Sequence, residues 1–358
     1  MYVIPRPDVT EDPLYAVRLA LTGVLAFTAI PILNPALPPI IAALPLGLIA
    51  AQRKAFNPIK MIAAPVVMIV MVYLGTWLFE QLRPMPLVYV GSAWLAYFLA
   101  FRMILQTGAP LGMLVIIVAL LMSIMGMNGT ATLEIMRDGF VQASLVALVI
   151  GPLVYILLPA KTREMHVDEP EPRNGKLEVG AAIRATVLLG LSFWLYSVMQ
   201  PSDMMMAMIA AMVIVFPTRT RVWDEAFQRV RATLLGTGIA LPMLWLFTLS
   251  SHLPIILGLV FLAGLFFGSK MLSGPHPSMV YQYAFSVTLA LVAGALSTQD
   301  PAYASFTRIV LTLLGAFTAA FCVALLDMLT RWGGDDKGKD KVAGGGVSHP
   351  VQQTQETR

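Results

Sequence analysis

Charged side chains are scarce in this sequence. Asp, Glu, Lys and Arg make up 12% of its 358 residues, about half the share found in soluble globular domains. Hydrophobic residues make up 58%. A water-soluble fold of this length cannot hide so much apolar surface, so the chain reads as an integral membrane protein. Cysteine is nearly absent. Cys322 is the single thiol, which excludes an intrachain disulfide and a metal site built on paired cysteines. His166, His252, His276 and His349 are scattered without ligand spacing. No GxxxxGKS or GxxxxGKT loop, HExxH helix or GxSxG elbow occurs. The chain therefore carries no ATPase engine of its own, and catalysis is not expected. No cofactor and no metal is implied. The formal net charge of +4 is not read as a nucleic-acid signal. In a membrane protein the position of the positive charges along the chain matters more than their sum. The opening PRPDVTEDP is acidic and lacks the basic region of a secretory signal peptide.

What is present is a succession of apolar runs. A helical span needs about 20 apolar residues. The runs are Leu14–Leu33, Pro38–Ala51, Pro58–Leu82, Leu87–Leu105, Pro110–Met127, Gly139–Pro159, Leu177–Met199, Met204–Phe216, Val230–Leu249, Leu253–Leu272, Pro277–Leu296 and Phe306–Leu329. They lack dyad alternation, so the expected fold is an all-α polytopic membrane protein with about 12 transmembrane helices.

The two halves share an order of spans and charges. Arg18 opens the first span and Arg184 the seventh, an offset of 166 that also carries Gln52-Arg53 onto Thr218-Arg219. With a slip of two residues, FRMIL (101–105) falls on SKMLS (269–273). The expected organisation is a first six-helix repeat over 1–160, a cytoplasmic linker over 161–176 and a second six-helix repeat over 177–332. A disordered cytoplasmic tail over 333–358 follows. Six is even, so the tandem repeats share one orientation, related by an axis along the membrane normal. With both termini cytoplasmic, 21 of the 24 Lys and Arg residues fall inside, and only Arg83, Arg137 and Arg308 fall outside. Such sorting is what the positive-inside rule demands.

The stretch FPTRTRVWDEAFQRVRATLLGTG (216–238) concentrates charge. Val222, Trp223, Ala226, Phe227 and Val230 recur at helical spacing, with Arg229 and Arg231 largely away from that face. The expectation is an amphipathic helix at the cytoplasmic interface, anchored by Trp223 and Phe227, that then turns into the ninth span. Gly236 and Gly238 there permit close helix packing. Arg219, Arg221, Arg229 and Arg231 serve either as a topology anchor or as a vestibule that gathers anions.

An arginine at the start of a span (IRATVLLGLSFWLY, 183–196), a short apolar span ending in Pro-Thr-Arg, and an arginine-bearing linker into a glycine-rich helix follow in order. This order resembles the fusaric-acid-resistance family of membrane proteins, which includes bacterial aromatic-acid exporters. More distantly, it is similar to plant malate-channel-type proteins. The best match spans about 60 residues of the second half; the first half matches by architecture, with AAQRKAFNPIK (50–60) where the signature would stand. The resemblance implies a multi-pass protein of the bacterial inner membrane. It implies export of small, aromatic organic acids with a periplasmic adaptor (membrane fusion) protein. Arg184, Arg219, Arg229, Arg231 and Gly236 sit on the family's recurrent positions. Larger members carry a sizeable cytoplasmic domain that this chain's short linker does not provide. The expected partners are thus the lipid bilayer, the organic anion and the adaptor, with no nucleic acid. A homo-oligomer is compatible with the sequence.

Ionisable groups inside spans are the default substrate contacts. Arg18 and Arg184 could each bind a carboxylate through both edges of a guanidinium fork; alternatively they snorkel to the headgroups. In HPSMVYQYAFSVT (276–288), Ser278, Gln282 and Ser286 form one polar stripe at a spacing of four, with Tyr281 and Phe285 beside it. The stripe either lines a pathway, with stacking on Tyr281 or Phe285, or makes interhelical hydrogen bonds. Asp203 is the candidate for proton coupling, ahead of Glu80 and Asp327, because burial raises a carboxyl pKa into the range a carrier needs. The expected function is a secondary exporter of small organic anions driven by the proton gradient. A passive anion channel and a non-transporting scaffold of an envelope complex are the alternatives.

Overall fold

The computed structural model describes residues 12–35, 37–51, 55–107, 110–162, 177–198, 219–249 and 252–297, with 318, 321, 322 and 325. Among the described residues all regular structure is helical. The helices are α1 (Tyr15–Leu33), α2 (Pro38–Ala51), α3 (Pro58–Leu82), α4 (Pro86–Thr107), α5 (Pro110–Asn128) and α6 (Thr130–Leu157). After the linker come α7 (Leu177–Val198), α8 (Arg219–Leu249), α9 (Leu253–Ser273) and α10 (Ser278–Ser297). Eight of them are long and apolar enough to cross a membrane, and α2 and the apolar part of α5 are shorter. The protein is a multi-pass membrane protein. The expected spans over 204–216 and 306–329 lie outside the described residues, apart from the few helical positions between 318 and 325.

Local chemistry sets the ends. α2, α3, α4 and α5 each begin on a proline, whose missing N–H is one of the donors a first turn leaves unpaired anyway. Asn34 ends α1 in the left-handed conformation, at φ 45° and ψ 56°, with its N–H bonded to the Ile30 carbonyl. Between α5 and α6 stands only Gly129, at φ 149°, a backbone region open to glycine almost alone. That one residue reverses the chain.

Two helix starts differ from expectation. α6 begins at Thr130 rather than Gly139, and its first turns carry Glu134, Arg137 and Asp138, with Arg137 Nε donating to Asp138 at 2.8 Å. α8 is one helix of 31 residues. The arginine stretch is therefore not a separate interfacial helix followed by a turn. It is the polar beginning of the ninth span, because nothing between Arg219 and Val230 breaks helical hydrogen bonding.

Apolar residues face outward as well as inward. On α3, Ile59, Ile62, Val66, Val70, Tyr73 and Trp77 form an exposed stripe opposite buried Met61, Met68, Val72 and Phe79. α8 repeats the pattern with Phe227, Leu234, Leu241 and Trp245 exposed. In water such stripes would be liabilities; against lipid tails they cost nothing.

The hydrophobic cores cross the linker. α7 packs on α4 and joins the core of α3, α4 and α5. α1 and α2 join the core of α8, α9 and α10, where α1 lies along α9 and α2 along α10. Contact between α1 and α9 is backbone to backbone: a Cβ added at Gly264 would stand 2.5 Å from Ala20 Cα, and one at Gly268 2.7 Å from Ala16 Cα. At α4, Tyr97 joins Ser123 of α5 and, at 3.3 Å, Ser192 of α7 in a buried hydroxyl cluster. Trp94 Nε1 donates to Thr186 Oγ1 at 3.1 Å.

Candidate functional site

Both span-opening arginines are withdrawn into protein. Arg18 of α1 and Arg184 of α7 are fully buried, so neither snorkels. Arg18 Nη2 donates to Asp12 Oδ1 in an ion pair with both side chains buried. The Arg18 guanidinium lies over the Tyr155 ring of α6, 4.2 Å from its centroid, a cation–π contact. Tyr15, one turn before Arg18, donates to the Ala50 carbonyl of α2 at 3.3 Å. Burial pushes the Asp12 carboxyl above the ordinary carboxylate range, against the pull of the Arg18 charge. Arg18 Nε and Nη1 and Asp12 Oδ2 are buried without a hydrogen-bond partner. In α7, Arg184 Nη1 donates to the Gly180 carbonyl one turn back, at 3.1 Å.

The arginines of α8 are not alike. Arg229 is only 6% exposed and its guanidinium stands over the Tyr283 ring of α10, 3.1 Å from the centroid. Sequence periodicity placed it on the water-facing side; an aromatic face on the neighbouring helix accepts the cation instead. Arg231 is exposed. The backbones of Arg219, Arg221 and Trp223 are helical, and their side chains lie outside the described residues. Asp203 also lies outside them.

On α10, the polar stripe divides by surroundings. Ser278 is buried, while Gln282 and Ser286 are half-buried. Gln282 Oε1 is shielded and has no hydrogen-bond partner. Tyr281 closes the α9–α10 turn: its hydroxyl accepts the His276 N–H at 3.3 Å. Phe285 is fully buried, with its ring tip against Gly23 of α1 and Gly264 of α9 and its centroid 5.8 Å from the Phe267 ring.

α8 and α10 are joined at Gly236. Thr288 Oγ1 donates to the Gly236 carbonyl at 2.9 Å. A Cβ at Gly236 would stand 2.5 Å from the Ala284 carbonyl oxygen, whereas one at Gly238 meets nothing within 4 Å. Gly236 is therefore the packing glycine of this helix and Gly238 is not. Gly236→Ala should lower the unfolding temperature of the detergent-solubilised protein. Gly238→Ala should raise it slightly, since alanine gains about 1 kcal/mol of helix propensity over glycine. Equal shifts in the two variants would contradict this packing.

Residues 191–322 match a family model described as fusaric acid resistance protein-like. Over these residues the chain is similar to that family. The match takes in the C-terminal third of α7, from residue 191 on, and all of α8, α9 and α10, and supports a role in membrane transport. Arg184 and the whole first half lie outside the fusaric acid resistance protein-like region. No curated protein and no solved structure matches the chain.

Asp12, Tyr155 and Tyr283 are the contacts that span-by-span reading misses. One signal for Asp12 was available: DPLYAVR (12–18) and EVGAAIR (178–184) both set an acid six residues before the buried arginine. The second acid, Glu178, is used differently. It pairs with Arg102 at 3.6 Å on the exposed surface.

Proposed function

We propose that this protein is a secondary exporter of small organic anions, aromatic acids foremost, in the bacterial inner membrane. The proton gradient drives it, and a periplasmic adaptor receives its substrate. The observation that carries this reading is the full burial of Arg18 and Arg184 at corresponding span starts. A permanent cation inside a bilayer protein is costly and is kept where an anion must be met. A scaffold has no use for two of them.

Packing supports two tandem repeats behind that correspondence. With each half counted as six spans, α1 on α9 and α7 on α4 are the same contact with the halves exchanged. So are α3 on α5 and α8 on α10. The sequence WLF occurs at 77–79 and again at 245–247, an offset of 168. Trp77 and Trp245 are 61% and 64% exposed. At the positions matching Gly264 and Gly268, α4 carries Ala96 and Ala100; at those matching Ala16 and Ala20, α7 carries Ala182 and Thr186. Small residues thus recur at corresponding positions of both helix pairs. The repeats occupy 1–160 and 177–332, and spans over 204–216 and 306–329 complete the twelve. Both termini lie in the cytoplasm.

In this reading Arg18 and Arg184 bind the carboxylate, and Gln282, with Ser278 and Ser286, offers hydrogen bonds along the path. Tyr281 and Phe285 shape it from behind. Arg219, Arg221 and Arg231 draw anions to the cytoplasmic mouth, with Trp223 at the interface, while Arg229 is held against Tyr283; Asp203 handles the proton. Inside-out vesicles from cells producing the protein test this with labelled 4-hydroxybenzoate. Accumulation that requires a pH gradient supports the exporter. Uptake that follows voltage alone supports a channel, and no uptake of any organic acid rejects transport.

A further inference from the structure

The Asp12–Arg18 pair is an unfinished ion pair. Buried charges hold their place when every polar atom is satisfied, and a half-satisfied buried pair is costly. Here three buried atoms, Arg18 Nε, Arg18 Nη1 and Asp12 Oδ2, have no hydrogen-bond partner. Asp12 meets the guanidinium through one oxygen, at Nη2. Nη2 belongs to both edges by which a guanidinium binds a carboxylate with two parallel bonds, Nε–Nη2 and Nη1–Nη2. One single-oxygen contact therefore blocks both edges and completes neither. A free carboxylate that took either edge would make two charge-assisted bonds where Asp12 makes one.

We propose that Asp12 is a placeholder: it neutralises Arg18 while the site is empty, and a substrate carboxylate replaces it, binding Arg18 by two bonds. The site so defined takes a monocarboxylate. It rests on the anion reading above and adds Asp12 as the internal competitor that sets affinity. Among the described residues, the titratable groups around the pair are Tyr15 of α1 and Tyr155 of α6. α2 contributes the Ala50 carbonyl, and α9 the Met271 thioether beside the Tyr15 hydroxyl. Lys270 of α9 is turned to the Phe266 ring, 5.9 Å from its centroid. No second carboxylate among them competes for Arg18. Displacing Asp12 is made easier by the same burial that holds its carboxyl above the ordinary range. As pH falls toward that range, Asp12 takes a proton and the competitor is lost, while a benzoate remains ionised.

Calorimetric binding of 4-hydroxybenzoate to the purified full chain, with 4-hydroxybenzamide as the uncharged control, tests this. Asp12→Asn should bind the acid about tenfold tighter than wild type at mildly alkaline pH, a change of about 1.4 kcal/mol. The gap should close as pH is lowered. Arg18→Lys keeps the charge but not the fork, and should bind at least about tenfold more weakly. If Asp12→Asn does not fold, the wild-type titration alone decides: affinity must rise as pH falls. Equal affinity in wild type and Asp12→Asn across the pH range overturns the placeholder, as does wild-type affinity in Arg18→Lys. It then means that water completes the pair. Wild-type protein that moves organic acids yet gives either result defeats this inference alone. Wild-type protein that neither binds nor moves them defeats it together with the anion reading.

Discussion

Gly268→Leu should leave little folded protein. Gly268 faces Ala16 across the α1–α9 contact, where even a Cβ would stand 2.7 Å from Ala16 Cα and 2.9 Å from Ala16 Cβ. The obstructing atoms are backbone and the first side-chain carbon, so no rotamer change relieves the clash. α1 would have to move off α9, and the Arg18 site at the head of α1 would move with it. Overpacking a core costs about 1–3 kcal/mol when side chains can adjust, and this site offers no such adjustment. We expect a loss beyond that range, read as aggregation on size-exclusion chromatography or a large drop in unfolding temperature. Gly258→Leu is the matched control on the same helix, because a Cβ there meets nothing within 4 Å. A Gly268→Leu protein as stable as Gly258→Leu would show that α1 and α9 are not in this contact.

Arg184→Gln should abolish most flux while leaving the protein folded. Glutamine keeps a donor that can reach back toward the Gly180 carbonyl, which Arg184 Nη1 bonds at 3.1 Å. What it removes is the cation. A hydrogen bond to a charged group contributes about 1.5–3 kcal/mol, and each 1.4 kcal/mol is about tenfold in an equilibrium. Losing the carboxylate's bonds here should lower transport on the order of tenfold or more, with membrane protein level unchanged. Gln282→Ala should lower it by less, since a neutral hydrogen bond is weaker. Full transport in both variants would remove these residues from the pathway.

Much of the fold could be read from apolar run length and proline. The run Pro38–Ala51 became α2 and Pro58–Leu82 became α3 with unchanged bounds, because proline at the first helical position marks a start that hydropathy alone blurs. Where hydropathy fell but helix propensity did not, the reading failed. Residues 219–229 are polar, yet they continue α8 without a break. Helical hydrogen bonds do not stop at a membrane surface, which is also why α6 starts at Thr130.

The candidate site was half legible. Position along a span pointed to Arg18 and Arg184, and both are buried. Their partners come from other elements, and a single-span reading cannot supply those. Helical spacing sets Arg229 on the polar side of α8, whereas Tyr283 of α10 provides an aromatic face for it. Asp12 precedes α1, outside the apolar run, so hydropathy gives no sign of its burial. The resemblance in the second half depended on the order of features around 183–241, and the matched region, 191–322, covers much of that order. Thr288, which ties α10 to the Gly236 carbonyl, shows how a polar residue in a span can serve packing rather than passage. Ser286 and Gln282 are half-buried on the same helix.

Counterflow in proteoliposomes most directly tests whether this protein is a carrier for organic anions. Purified protein is reconstituted, the vesicles are loaded with unlabelled 4-hydroxybenzoate, and entry of the labelled acid is followed at zero net gradient. The account predicts saturable uptake that preloading accelerates, with no acceleration by 4-hydroxybenzamide. Uptake no faster than in protein-free liposomes, or equal exchange of the acid and the amide, would contradict it.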